Sequence, residues 1–147
     1  MNFVYDMFSS TVIRVGFEDV LLCMNNNNCI LINTLAIEQQ SCLIDKTISA
    51  EKEEEILNRF LETYESRTVK VIVYGKNSAD SSVEEKSRQL KNLGFKNVFI
   101  YGGGLFEWIL LQDIYGTEMF KTTKKVADIL AFKAPCFLNL NNHIPKY

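Results

Sequence analysis

The sequence contains a single histidine, and this scarcity restricts the catalytic and metal-binding chemistry open to it. His143 stands in an Asn-rich stretch near the end of the chain, where we expect it to be exposed, and any Ser–His–Asp triad or histidine metal site would have to use it. The cysteines form no Cys-x-x-Cys pair and no zinc spacing; they are Cys23, Cys29, Cys42 and Cys136. We therefore predict no metal or other cofactor. Because each cysteine lies in an apolar run, we expect all of them to be reduced and mostly buried.

An excess of one charge sign is also missing, and so is any long apolar segment. The chain has 16 Lys and Arg against 18 Asp and Glu, and its basic residues are scattered except at Lys121, Lys124 and Lys125. This distribution predicts no binding to nucleic acid or to an anionic membrane surface. No run is long enough to span a membrane, and residues 1–15 lack the basic and apolar regions of a signal peptide. We expect a cytoplasmic protein.

The length and the apolar content are those of one globular domain. The chain has 147 residues, of which 47% are hydrophobic, and this is enough for a sizeable core without disulfide or metal crosslinks. No internal repeat and no domain linker is recognisable. We predict a single domain over residues 1–147, with a core at about 11–116 and a C-terminal extension at 117–147.

Strand and helix patterns alternate along the chain, which favours an α/β fold. The predicted strands are Thr11–Val15, Cys29–Asn33, Cys42–Ile44 together with Ile48, Val69–Tyr74 and Val98–Tyr101. The predicted helices are Phe17–Met24, one turn at Ala36–Gln40, a helix that Ser49 opens, a helix that ends at Leu93 before Gly94, and Phe106–Tyr115, which is apolar nearly all round and therefore buried. Helices between strands imply a mostly parallel sheet covered by helices on both faces.

The last third of the chain carries many large apolar side chains. We predict core positions for Trp108, Leu111, Ile114, Tyr115 and Phe120. The tail, Phe132–Tyr147, keeps Phe132, Phe137, Leu138 and Leu140 among lysines and asparagines. It would either add a strand to the domain or present an apolar patch to a partner.

Two glycine-containing stretches fail as nucleotide-binding motifs. A P-loop around Gly75 and Lys76 would need a glycine at Lys70 and a Ser or Thr at Asn77. A dinucleotide motif that starts at Gly102 would need a glycine where Glu107 stands.

The strand-to-helix turn in VIVYGKNSADSSVEE is the most informative stretch, because anions and nucleophiles are held at such turns. Its loop residues include no cysteine, histidine or arginine; they are Gly75, Lys76, Asn77, Ser78, Ala79, Asp80, Ser81 and Ser82. The serines lack a nearby histidine base, and Asp80 or Glu84 would be a weak one. We expect Asp80, Ser81 or Ser82 to cap the helix, with Glu84 or Glu85 completing a capping box. Because these carboxylates would repel thiosulfate or phosphate, we expect the loop to bind no small anion.

Three stretches together resemble the rhodanese-like domain family. They are CILIN at Cys29–Asn33, CLIDKTI at Cys42–Ile48, and VIVYG followed after a helix by LGFKNVFIYGGGLFEW. The last stretch carries most of the resemblance, through Gly94, Phe95, Val98, Gly103, Gly104 and Trp108. The resemblance covers roughly residues 11–116 and implies a three-layer α/β domain with a central, mostly parallel sheet.

The resemblance also places the family's catalytic cysteine, and this chain lacks it. Active members carry that cysteine directly after the strand that corresponds to Val69–Tyr74, where this chain has Gly75, and the arginine found later in the loop has no counterpart. In the wider family, domains without the cysteine serve as regulatory or docking modules. We therefore expect a catalytically inactive module that binds a protein partner or forms a homo-oligomer.

Two alternatives to that expectation remain open. One is an enzyme, either a sulfurtransferase or a relative of the rhodanese-fold phosphatases, with rearranged catalytic residues. Cys42 is the candidate for a displaced nucleophile, although its apolar neighbours favour a buried, inert thiol. The other alternative is a structural domain with no separate ligand.

Overall fold

The centre of the molecule is a parallel sheet of four strands. The computed structural model describes residues 11–138. The strands are β1 (Ile13–Val15), β2 (Cys29–Asn33), β3 (Lys70–Tyr74) and β4 (Asn97–Tyr101), in the order β1-β4-β3-β2. The register aligns Asn33 with Tyr74 and Tyr74 with Tyr101, so these three strands end together at one edge of the sheet.

Among residues 11–138, four α-helices cover the sheet: α1 (Phe17–Met24), α2 (Ala50–Glu62), α3 (Ser82–Leu93) and α4 (Gly104–Tyr115). Successive residues of β3 point to opposite faces, since Ile72 and Tyr74 belong to one apolar cluster while Val71 and Val73 belong to the other. Helices α1 and α4 pack on the first face, and α2 and α3 on the second. The result is the predicted α/β sandwich of three layers.

The first face has the more aromatic core. Trp108 of α4 is fully buried, with its ring centroid 5.0 Å from that of Phe120 and 6.3 Å from that of Tyr101. Its indole nitrogen donates a 3.0 Å hydrogen bond to the carbonyl of Lys121, which satisfies the buried donor. This core joins the C-terminal extension to the sheet.

Most of the predicted elements are confirmed. Phe17–Met24 and Cys29–Asn33 have the predicted bounds, and Ser49 is the residue before the first turn of α2. Gly94 ends α3 with a φ of 122°, a conformation that glycine adopts without strain. The helical turn predicted at 36–40 is a 3-10 turn at Ile37–Gln39.

The strand predicted at Cys42–Ile44 with Ile48 is wrong. Only isolated bridges occur there, Ile44 with Thr122 of the extension and Thr47 with Leu31 of β2. Lys46 has a φ of 72°, so the backbone turns between the two bridges and cannot continue as a strand.

The prediction that α4 is buried all round is also wrong in part. Trp108 is fully buried, but Ile114 and Tyr115 are 69% and 65% exposed. The sheet covers only the side of α4 that carries Trp108 and Ile109, and the side with Leu110 and Ile114 is left open.

The described part of the C-terminal extension, residues 117–138, packs on the first face as an irregular segment and adds no strand to the sheet. Thr123 donates its N–H to the carbonyl of Leu43 at 2.8 Å, and Asp45 donates to that of Lys121 at 3.0 Å. Apolar side chains then follow the core as far as a 3-10 turn at Ile129–Phe132. Phe137 and Leu138 are exposed, while Leu140 and His143 lie outside the described residues.

The cysteines depart from the expectation of reduced, buried thiols. Cys23 and Cys29 form a disulfide, because the turn between α1 and β2 brings their side chains together. Cys42 is buried as expected, whereas Cys136 is exposed beyond the last packed turn of the extension.

Between residues 11 and 138, no helix combines the length and apolar character that crossing a membrane requires.

Candidate functional site

The loop at residues 75–82 lies at the carboxyl edge of the sheet and leads from β3 into α3. In parallel α/β sheets this edge is where ligands bind, since the loops after several strands converge there. Asn33, Thr34 and Tyr74 line the same edge, and Thr34 donates its N–H to the carbonyl of Tyr74 at 3.0 Å. The loop is therefore placed where an active site of this architecture would be.

The Asp80 carboxylate occupies the middle of the loop and accepts hydrogen bonds from both of its ends. Its Oδ2 accepts the N–H of Lys76 at 3.0 Å, and its Oδ1 accepts the N–H of Ser82, the first residue of α3, at 3.0 Å. Burial acts to raise the pKa of Asp80, but the hydrogen bonds from Lys76 and Ser82 outweigh it and hold the pKa below its usual value. Asp80 thus serves as the anion of this helix N-terminus.

Gly75 lies against the Asp80 carboxylate. A Cβ atom at Gly75 would lie 2.5 Å from Asp80 Oδ2 and 3.0 Å from a methyl group of Val83. Any side chain at position 75 would therefore have to displace the Asp80 carboxyl group. The space into which a residue after β3 would project its side chain is already filled.

The expected capping boxes do not form, because Asp80 takes the capping role alone. Ser82 lies inside the first turn of α3, where its hydroxyl is 2.6 Å from Asp80 Oδ1 and 2.7 Å from the hydroxyl of Thr34. Glu84 pairs with Arg14 of β1 instead of turning back to a serine. Within residues 11–138, the exposed serines Ser78 and Ser81 have no side-chain hydrogen bond to a base that would activate them.

Asn77 connects the loop to the C-terminal extension. Its side-chain carbonyl accepts the N–H of Ala79 at 3.0 Å, and its amide donates to the carbonyls of Phe132 and Lys133 at 3.1 and 3.2 Å. The residue is 7% exposed, so these bonds satisfy a buried polar group. Sequence reasoning missed this role, since no local pattern relates Asn77 to residues so far along the chain.

The turn Gly102–Gly104 brings α4 against the same loop. Gly104 has a φ of 68°, and a Cβ there would lie 2.9 Å from the carbonyl oxygen of Gly75. Leu105 and Phe106 donate their N–H groups to the carbonyls of Gly75 and Lys76, both at 2.9 Å. The first N–H groups of α4 therefore hold the loop and are not open to a ligand.

Cys42 lies in a separate environment from the loop. Its thiol donates to the carbonyl of Lys124 at 3.1 Å, and burial raises its pKa, with partial compensation from contacts with Thr122 and Lys124. The neighbouring segment is tied to β3, because the Tyr74 hydroxyl accepts the N–H of Ile44 at 3.1 Å. Burial disfavours the thiolate that a nucleophile needs.

A metal site does not emerge from the described side chains. Between residues 11 and 138, no three His, Cys, Asp or Glu side chains are grouped so that they could hold a metal ion.

Burial and the neighbouring Glu107 raise the pKa of Tyr101, whose hydroxyl donates to that carboxylate at 2.7 Å. This hydrogen bond connects the end of β4 to the first turn of α4.

Comparison with known proteins supports the fold. The family model described as "Rhodanese-like domain" matches residues 32–111. The BH2092 protein from Bacillus halodurans has a similar structure, with a TM-score of 0.55 and 19% identity over 78% of this chain and 82% of that one. A Rhodopseudomonas palustris protein of unknown function, RPA3614, described as a "possible tyrosine phosphatase", gives a TM-score of 0.51 and 13% identity over 76% and 87% of the two chains. No curated protein sequence matches the chain.

Proposed function

Since the chain belongs to the rhodanese-like domain family, we propose that it is a catalytically inactive member that acts through protein binding or homo-oligomerisation. The observation that carries this proposal is the position of the Asp80 carboxylate over Gly75. Gly75 offers no nucleophile, and Asp80 already accepts the N–H groups of Lys76 and Ser82. A thiosulfate or phosphate ion would have to displace a carboxylate that is covalently part of the loop.

Electrostatics strengthens the argument against an anionic substrate. The first turn of α3 carries Glu84 and Glu85 close to Asp80, whereas Lys76 is the sole basic residue among residues 75–85. A cation would be needed to offset the charge of a bound phosphate or sulfur anion. Arg14 lies near this edge, but it is paired with Glu84.

A surface suited to protein binding lies on α4 and the turn after it. We call it the α4 patch and define it as Leu110, Ile114, Tyr115 and Met119, which are 38%, 69%, 65% and 50% exposed. Leu110 and Ile114 are one helical turn apart, so they share a face. Large apolar side chains grouped on a surface are typical of sites of protein association.

The catalytic half of the proposal is tested by intact-mass spectrometry after incubation with thiosulfate, followed by cyanide. We expect no gain of a sulfur atom in protein shown by circular dichroism to be folded, and no hydrolysis of p-nitrophenyl phosphate. A gain of one sulfur that cyanide removes would overturn the proposal in favour of the sulfurtransferase alternative. Peptide mapping would then show whether Cys42 or another cysteine carries the persulfide.

The binding half is tested on the α4 patch with matched variants. Ile114→Glu places a charge in the patch, and Ile37→Glu places the same charge on another exposed isoleucine, which is 81% exposed. We expect sedimentation velocity to show self-association, or a purified partner to be retained, for the native chain and Ile37→Glu but not for Ile114→Glu. Equal behaviour of the two variants would remove the α4 patch from the proposal.

A further inference from the structure

The Cys23–Cys29 disulfide lies at the end of the sheet opposite the loop at residues 75–82. Cys29 is the first residue of β2, whereas the loop follows the last residue of β3, and the two strands are parallel and in register. One strand of five residues separates the two ends, which is about 16 Å of chain. Chemistry at this disulfide would therefore be independent of the loop and of the function proposed for it.

Both cysteines line an open cavity of about 170 Å³ beside α1. Its apolar walls include Leu22, Ile72 and Phe99, and its charged groups are Asp19 and Lys70. Cys29 is partly exposed, whereas Cys23 is 5% exposed. Cys29 is therefore the more accessible of the two cysteines.

Lys70 places a positive charge in the lining of this cavity. It is the register partner of Cys29 on the neighbouring strand, so both side chains stand on the same face of the sheet. Asp19 also lines the cavity, but within residues 11–138 no carboxylate lies within ion-pair distance of the Lys70 ammonium. An ammonium beside a cysteine favours its thiolate, which is the nucleophile and the leaving group in disulfide exchange.

The backbone holds the two cysteines close together by bonds that do not involve sulfur. Asn26 donates its N–H to the carbonyl of Cys23 at 3.1 Å, and Cys29 donates to the carbonyl of Asn26 at 3.2 Å. The side chain of Asn26 accepts the N–H of Asn28 at 2.8 Å, which tightens the turn. Breaking the disulfide would leave this turn in place, so the thiols would remain positioned to form it again.

From the cavity, the lysine and the turn, we propose that Cys23 and Cys29 form a reversible site of thiol–disulfide exchange for low-molecular-weight thiols. A thiolate attacks Sγ of Cys29, the S–S bond breaks, and Cys23 leaves as a thiolate that takes a proton from water. A second thiolate attacks the small molecule's sulfur in the mixed disulfide and releases Cys29 as a thiolate. The protein disulfide gains two electrons, and two small thiols become one disulfide; a small disulfide reverses both steps.

The test uses glutathione as the probe and the full chain with Cys136→Ser, which removes the exposed free thiol. Folded, oxidised protein is incubated with glutathione, quenched with acid, alkylated and mapped by mass spectrometry. We expect the folded protein to be reduced at Cys23 and Cys29 at a rate within about tenfold of that of the urea-unfolded chain. Cys42, which is free and buried, reports whether the fold stays closed during the reaction.

Two outcomes would overturn the proposal. A disulfide that opens only through global unfolding would react about a thousandfold or more slowly in the folded protein than in urea. Failure of the reduced protein to regain the disulfide in glutathione disulfide would show that the pair does not form reversibly. Neither measurement depends on a variant of Cys23 or Cys29 that has lost its fold.

The contribution of Lys70 to the exchange rate is tested with a pair of matched lysine variants. Lys70→Gln is expected to slow the reaction of reduced Cys29 with glutathione disulfide roughly two- to fivefold at low salt, and the difference should shrink at high salt. Lys52→Gln, an exposed lysine in the first turn of α2 on the other face, should leave the rate unchanged. Equal rates for the two variants would remove Lys70 from the site.

Discussion

The two ends of the parallel sheet differ in how their polar and reactive groups are satisfied. At the carboxyl edge, Asp80 fills the loop, Asn77 binds the C-terminal extension and Gly104 admits α4. At the amino end, Cys23 and Cys29 form a disulfide that lines an open cavity of about 170 Å³. The comparison shows that the loop at the carboxyl edge has its hydrogen-bonding groups satisfied from within the chain, although cavities of about 300 and 570 Å³ lie beside it.

The internal satisfaction of the loop's hydrogen-bonding groups has a physical cause in the sequence. A strand-to-helix turn exposes backbone N–H groups that need acceptors, and an external anion supplies them in a binding site. Here an aspartate five residues after Gly75 supplies the acceptors from within the loop. The loop is therefore stable without a ligand, and that stability opposes the binding of one.

Replacing Gly104 should have the largest effect, because it disrupts the contact between α4 and the loop. Gly104→Ala would put a Cβ 2.9 Å from the Gly75 carbonyl at a residue whose φ is 68°. We expect a loss of about 2–4 kcal/mol in the free energy of unfolding, measured by urea denaturation. Amide exchange of Leu105 and Phe106, which donate to the loop carbonyls, should accelerate selectively.

Gly116 is the control for that substitution. It also has a positive φ, of 106°, but a Cβ there would meet nothing within 4 Å. Gly116→Ala should cost about 1–2 kcal/mol from backbone strain and leave the exchange of Leu105 and Phe106 unchanged. Equal acceleration in both variants would mean that the contact with the loop does not set the stability of α4.

Removing the Asn77 side chain should release the C-terminal extension from the loop. Asn77→Ala deletes two hydrogen bonds to the carbonyls of Phe132 and Lys133 and one from Ala79. We expect a destabilisation of about 1–2 kcal/mol and faster proteolysis at residues 126–133. Ser78→Ala, at the neighbouring exposed residue, should change neither. Unaltered proteolysis of Asn77→Ala would show that the extension is held by its apolar contacts alone.

The parts of this fold that could be predicted from sequence are those whose conformation is determined locally. Cys29–Asn33 is a short apolar run between turn residues, and Gly94 follows a helical pattern, so both were accessible to prediction. The segment at 42–48 was mispredicted because its bridge to Thr122 depends on the distant extension. The disulfide was missed because its formation depends on how tightly the turn at residues 25–28 closes.

The candidate site was predicted in outline and not in detail. The position of Gly75 after β3 followed from the strand-to-helix pattern, which also offered Asp80 as one of three candidate caps, with Ser81 and Ser82. The identity of the partners did not: Glu84 binds Arg14 of the edge strand β1, and Asn77 binds the extension. Hydrogen bonds between distant parts of a chain leave no periodic signal in its sequence.

Neutralising Asp80 should destabilise the loop and change how the stability of the protein depends on pH. Because the pKa of Asp80 is lowered in the folded protein, its contribution to stability is complete above the unfolded pKa of about 3.9 and is lost as the pH falls towards the folded pKa. Asp80→Asn should lower the stability at pH 7 by about 1 kcal/mol. Stability curves of the native chain and Asp80→Asn should then converge on acidification below about pH 4. A constant difference at all pH values would show that the charge of Asp80 is unimportant.

Cys42→Ser should have the smallest effect. It tests the contrast between the buried Cys42 thiol and the Cys23–Cys29 disulfide. The serine hydroxyl can donate to the Lys124 carbonyl as the thiol does, so the free energy of unfolding should change by less than about 1 kcal/mol. Cys42 is buried and makes no hydrogen bond to residues 75–82, so the variant should keep whatever partner binding or self-association the native chain has. Loss of that activity in a folded Cys42→Ser protein, judged by sedimentation velocity and circular dichroism, would show that Cys42 contributes to the function and would favour the alternative of a displaced nucleophile.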